Sequence, residues 1–86
     1  VVRLYQNIPN PFNPSTTIRF NIPAGGSALL KVYDVSGKEV YTLLNENLEA
    51  GMHTAQFDGS KLSSGTYYCK LTSANSTEIM KMILMK

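Results

Sequence analysis

The chain is 86 residues long and carries eight Lys/Arg against six Asp/Glu, a net charge of +2 at neutral pH. With 43% apolar and only 16% charged residues, it has the composition of one small globular unit with a single thin core. The charge is too scattered for a nucleic-acid footprint, with no Lys/Arg stripe, and no apolar run approaches the ~20 residues of a transmembrane helix.

The chain opens on Val1 without a methionine, so its start is expected to be an excised or processed boundary, and the lack of a leader peptide carries no information. Residues 1–15 form a stiff lead-in in which Pro9, Pro11 and Pro14 flank Phe12, two of them as Asn-Pro steps. Each proline fixes its own φ and pushes the preceding residue toward extended backbone. Flexible linkers lack anchoring aromatics, whereas Leu4, Tyr5, Ile8 and Phe12 are interleaved here. The lead-in is therefore expected to pack on its own domain, and residues 1–86 to form a single domain.

From Thr16 onward the apolar pattern has period two, broken by turn residues roughly every 8–12 positions. Residues 16–22 form a first strand, and Pro23-Ala24-Gly25-Gly26-Ser27 a loop. Residues 30–33 and 39–44 form a hairpin around Asp34-Val35-Ser36-Gly37, which has the Asp-first, Gly-last order of a type I turn. Residues 45–51 are polar and are expected to cross from one sheet to the other. A fourth strand over 52–57 ends at Asp58-Gly59-Ser60, and a fifth over 66–72 puts Tyr67, Cys69 and Leu71 on one face. After a turn at 73–76, the last strand covers 77–85. Its Met80, Met82 and Leu84 alternate with Ile79, Lys81 and Ile83, so with apolar residues on both faces it is expected to be covered rather than a bare edge.

Leu62-Ser63-Ser64-Gly65-Thr66-Tyr67 places a leucine, a glycine and a tyrosine at the entry to the fifth strand. A tyrosine corner, in which the phenol bonds back to nearby backbone, occurs at that crossover in Greek-key sandwiches. The fold predicted is all-β, an immunoglobulin-like antiparallel β-sandwich of about seven strands.

Candidate chemistry is sparse. Cys69 is the only cysteine and His53 the only histidine, so no intrachain disulfide forms, and Cys69 reads as a small buried hydrophobe rather than a nucleophile. His53 reads as a sheet-surface or satisfied core histidine. Asp34 and Asp58 have the oxygens a calcium ion takes, yet both are explained as turn formers, and no metal or cofactor is expected. Asn75-Ser76-Thr77 fits the glycosylation acceptor pattern, a match common by chance. Tyr33 and Tyr41, if on adjacent strands, would present a flat apolar face to a sugar; their plainer role is a cross-strand pair stabilising the sheet.

Several stretches, read together, resemble the type A C-terminal sorting domain of type IX (Por) secretion cargo in the Bacteroidetes. They are Leu4-Tyr5-Gln6-Asn7 with Pro9-Asn10-Pro11-Phe12-Asn13-Pro14-Ser15-Thr16-Thr17-Ile18, the hairpin Lys31-Val32-Tyr33-Asp34-Val35-Ser36-Gly37-Lys38-Glu39-Val40, Gly51-Met52-His53-Thr54, Leu62-Ser63-Ser64-Gly65-Thr66-Tyr67-Tyr68, and Lys81-Met82-Ile83-Leu84-Met85-Lys86. They occur in the family's order. Ile8 stands where the family often has tyrosine, and Cys69 where it has an aromatic or aliphatic residue.

The resemblance implies a non-catalytic transport address at the end of a larger cargo protein, whose N-terminal cargo domain lies in the same chain. Such cargo passes through the periplasm and is recognised by the outer-membrane type IX translocon. A sortase-like surface protease then removes the tail and attaches the cargo at the cell surface. The recognition candidates carried over are Asp34, Gly37, Gly65, Tyr67, Lys81, Met82, Leu84 and Lys86. Folding alone accounts for most of them, and Lys81 and Lys86 are the two it is expected to need least. The alternative is a passive or carbohydrate-binding sandwich appended to an extracellular enzyme. A homodimer through an unpaired sheet edge is compatible with either.

Overall fold

Period-two alternation becomes seven antiparallel strands in a computed structural model that describes residues 1–86. They are β1 (Arg3–Leu4), β2 (Ser15–Ile22), β3 (Gly26–Asp34), β4 (Glu39–Leu48), β5 (Gly51–Asp58), β6 (Gly65–Ser73) and β7 (Ser76–Leu84). One sheet has the order β1-β2-β5 and the other β4-β3-β6-β7. Strand for strand this is the ABE and C′CFG arrangement of an immunoglobulin-like sandwich.

The core lies between the sheets and is built by alternate residues. Ile18, Phe20 and Ile22 of β2 face Leu30 and Val32 of β3, Tyr67, Cys69 and Leu71 of β6, and Met80, Met82 and Leu84 of β7, with Phe57 from β5. Val2 and Phe12 join them from the lead-in.

The lead-in closes the open side of the sandwich by bonding to both sheets. Ile8 exchanges backbone hydrogen bonds with Thr17 of β2, each 3.0 Å, and the Tyr5 amide donates to the Arg19 carbonyl at 3.0 Å. On the other sheet the Phe12 amide donates to the Ile83 carbonyl, and its own carbonyl accepts from the Met85 amide, both at 2.9 Å. The Phe12 ring reaches Phe57 at 5.8 Å between centroids.

Four expectations about the strands change. Strand β3 begins at Gly26, so the loop before it is shorter than residues 23–27. Strand β4 runs on to Leu48, so only Glu49 and Ala50 connect it to β5 in the opposite sheet. The polar residues Asn45, Glu46 and Asn47 belong to an edge strand whose side chains meet water, and Gly51 turns the corner at φ +123°. The turn between β6 and β7 narrows to Ala74 and Asn75, both at positive φ (52° and 61°), as a two-residue hairpin of the right hand requires. Finally, β7 is an edge strand. Its outer face leaves Ile79 63% exposed, while the lead-in runs along its free edge: the Val2 amide donates to Ser76 Oγ at 3.3 Å, the Leu4 amide to Glu78 Oε1 at 2.6 Å and the Phe12 amide to the Ile83 carbonyl.

Candidate functional site

The β3–β4 hairpin tip is fixed by one carboxylate. Asp34 Oδ1 accepts from the Ser36 amide at 2.9 Å, the Ser36 hydroxyl at 2.6 Å and the Lys38 amide at 3.1 Å. The Gly37 amide donates to the Asp34 carbonyl at 3.0 Å, and Gly37 sits at φ +88°, a conformation glycine alone adopts without cost. The Ser36 hydroxyl, then the two amides, hold the Asp34 carboxyl below its ordinary value.

At the entry to β6 the Tyr67 hydroxyl donates to the Ser63 carbonyl at 2.6 Å, while the ring is buried and Leu62 packs against the core. This is the expected tyrosine corner. Gly65 opens the strand at φ +154°. Cys69 is buried, and burial pushes its thiol up to about 12, so the sulfur stays a protonated core group. His53 is half-buried, stacked on Phe20 at 5.6 Å, with Nε2 at 2.7 Å from the Glu49 carbonyl. Asp58 accepts from the Ser60 amide at 2.9 Å, so both candidate calcium carboxylates are engaged by turn groups. No cluster of three or more His, Cys, Asp or Glu that could hold a metal ion occurs.

The cross-strand pair expected of Tyr33 and Tyr41 does not form, and neither does the flat face that they would have offered a sugar. Val32 stands opposite Tyr41, and Tyr33 opposite Glu39. Tyr41 therefore lies on the inner side of β4, edge-on to Phe57 at 5.7 Å, while Tyr33 points to the opposite face.

Tyr33 belongs to the outer face of the four-stranded sheet, where two rows cross β3, β6 and β7: Lys31, Lys70, Ile79 and Tyr33, Tyr68, Lys81. A shallow groove of about 460 Å³ opens here, lined by Tyr33, Asp34, Val35, Gly37, Tyr68, Lys70 and Ile79. Lys70 Nζ sits 6.0 Å from the Tyr33 ring centroid. Lys31 is paired with Glu39 at 2.8 Å, and that hydrogen bond raises the lysine and lowers the glutamate from their usual values.

Apart from Gly65 at the start of β6, the candidate residues divide by direction. Asp34 and Gly37 line the groove, and Lys81 is exposed on the same face. Tyr67, Met82 and Leu84 point into the core. Lys86 is more engaged than the sequence suggested: its amide donates to Ser64 Oγ at 3.0 Å and its ammonium to the Ser60 carbonyl, tying the C-terminal end to the β5–β6 loop.

Residues that sequence reasoning passed over hold the lead-in down. Asn7, 1% exposed, donates through Nδ2 to the Pro9 carbonyl and to Thr16 Oγ1, both 3.1 Å. Its Oδ1 accepts from Gln6 Nε2 at 2.7 Å, and Gln6 also donates to the Lys81 carbonyl at 2.9 Å. Asn10 Oδ1 accepts from the Ile83 amide at 3.0 Å. Their only trace in the sequence was their place within the proline-rich opening block.

The fold is thus an immunoglobulin-like sandwich with an apolar and cationic outer sheet face. Residues 6–85 match the family model described as the secretion system C-terminal sorting domain. The chain belongs to that family, the C-terminal sorting signals of type IX secretion. No curated protein matches the chain.

Proposed function

We propose that this domain is the tail by which a larger cargo protein is carried across the outer membrane by the type IX translocon, and that a sortase-like protease then removes it and leaves the cargo on the cell surface. The whole of residues 1–86, lead-in included, acts as one non-catalytic sorting unit. The observation that carries this reading is the family match over residues 6–85. In support, the hairpin, β6 and β7 blocks, far apart in sequence, meet in one four-stranded sheet. Within it Lys81 is the foremost contact residue, with Asp34 and Gly37 shaping the hairpin beside it. Gly65, Tyr67, Met82 and Leu84 support the surface from behind, and Lys86 anchors its end.

The test is an export assay in a type IX-competent host, with a signal peptide and a fluorescent carrier fused ahead of residues 1–86. Trimming Lys81–Lys86 also takes Met82 and Leu84 from the core, so that truncation is read beside Lys81→Ala, which leaves the core intact. Surface fluorescence for the full fusion, reduced by Lys81→Ala, is the expected result, and the mass of the surface form reports removal of the tail. A folded full fusion held in the periplasm would overturn the reading.

A further inference from the structure

The groove on the outer face of β3, β6 and β7 has a lining that specifies a partner. Its walls are apolar and aromatic: Tyr33, Val35 (73% exposed), Tyr68 and Ile79. Monomeric domains seldom leave such side chains contiguous unless something covers them. The charges around the groove are unequal. Both nearby carboxylates are engaged, Asp34 by the turn and Glu39 by Lys31 and Thr42. Lys70 and Lys81 flank Tyr68 with no carboxylate within ion-pair distance; Asp34 keeps its negative charge, but Lys31 cancels Glu39, so two free lysines against one carboxylate leave this face net positive.

We infer that this groove binds an extended acidic peptide segment, seating a large apolar side chain against Tyr33, Tyr68 and Ile79 while its neighbouring carboxylates meet Lys70 and Lys81. The inference rests on the sorting reading only in naming the segment's owner, a protein of the secretion machinery. Charge complementarity selects the acidic partner. The groove's size and aromatic walls select the apolar side chain, because a bare polyanion would leave Tyr33, Val35 and Ile79 in water. An extended chain places alternate side chains on one side, which permits both contacts at once.

The experiment titrates the full 86-residue chain, isotopically labelled, with a capped peptide alternating glutamate and phenylalanine. Two control peptides carry lysine for glutamate, or serine for phenylalanine. Amide shifts should concentrate at Tyr33, Tyr68, Lys70, Ile79 and Lys81. Affinity should fall at least tenfold for either control peptide and for the double variant Lys70→Gln/Lys81→Gln, whose unfolding midpoint verifies that it is folded. Rising salt should weaken binding. Equal binding of the three peptides, shifts elsewhere, or full affinity in the double variant would overturn the proposal. Binding of the glutamate–serine peptide as tightly as the glutamate–phenylalanine one would show a general anion surface instead.

The double variant is also placed in the carrier fusion. Export of both wild type and variant at equal levels overturns the groove as the recognition surface and leaves the sorting reading standing. Peptide binding at the groove by a wild-type chain that is not exported overturns the sorting reading and leaves the peptide site standing.

Discussion

Asn7 is the polar residue on which the lead-in most depends, because it is buried and its side chain satisfies three partners. Replacing it with alanine takes the Nδ2 donor from the buried Thr16 hydroxyl and leaves the Pro9 carbonyl with one donor fewer, while the exposed Gln6 amide keeps the Lys81 carbonyl. Buried groups left unpaired cost roughly 1–3 kcal/mol, so Asn7→Ala should destabilise by about 2 kcal/mol, a drop in Tm of roughly 10 °C by thermal unfolding. Asp34 makes a different prediction. Its folded carboxyl lies below the ordinary value of 3.8, so the stability it contributes is fully present above that pH and is lost as pH falls through the lower folded value. Asp34→Asn should therefore flatten the acid limb of a urea-midpoint profile between about pH 2 and 5; an unchanged acid limb would show that the turn does not depend on the charge. These residue roles were unevenly legible. Tyr67 and Cys69 could be placed from alternation and the corner pattern, whereas Asn7 could not, since nothing in a sequence distinguishes a buried asparagine from a turn-forming one.

At the scale of elements, the same contrast appears in β4. A regular hairpin after Tyr33 opposite Glu39 would pair Val32 with Val40 and put Tyr41 on the outer face beside Lys31. Instead Val40 is an extra residue, Val32 pairs with Tyr41, and Leu43 is a second irregularity before Leu30 meets Leu44. Each bulge reverses which side chains face out, so the tyrosine pair expected from the sequence dissolved, although the strand itself was legible. Bulges also twist an edge strand away from flat pairing with another chain. The other edge of this sheet, β7, is guarded by the lead-in, whose anchor is Phe12. Phe12→Ala should cost about 4 kcal/mol, a large fraction of the 5–15 kcal/mol typical of a domain. Ile8→Ala, at a side chain 61% exposed, should stay within ~0.5 kcal/mol. Equal urea midpoints for the two variants would show that the lead-in is passive. With β7 uncovered, the Phe12 variant should also sediment with more self-association than wild type at the same concentration.

At the scale of the molecule, the sandwich separates support from contact. One face of each strand builds the core, and the outer face of β3, β6 and β7 is the one we propose for a partner, with the hairpin tip bonded by Asp34 and the C-terminal end by Lys86. Fold and family were legible because alternation, turns and the five matched blocks all run in register. The outer face was legible only in part: Lys81 was a candidate from the sequence, but Tyr33, Tyr68, Lys70 and Ile79 come together only through strand order, which alternation does not encode. The central claim is that this chain alone directs export through the type IX route. Its most direct test compares the surface-exposed fraction of a carrier fused to residues 1–86 in type IX-competent cells and in cells lacking the translocon. The account predicts surface carrier in the first and periplasmic carrier in the second; equal surface exposure in both, or none in either with the domain folded, would contradict it.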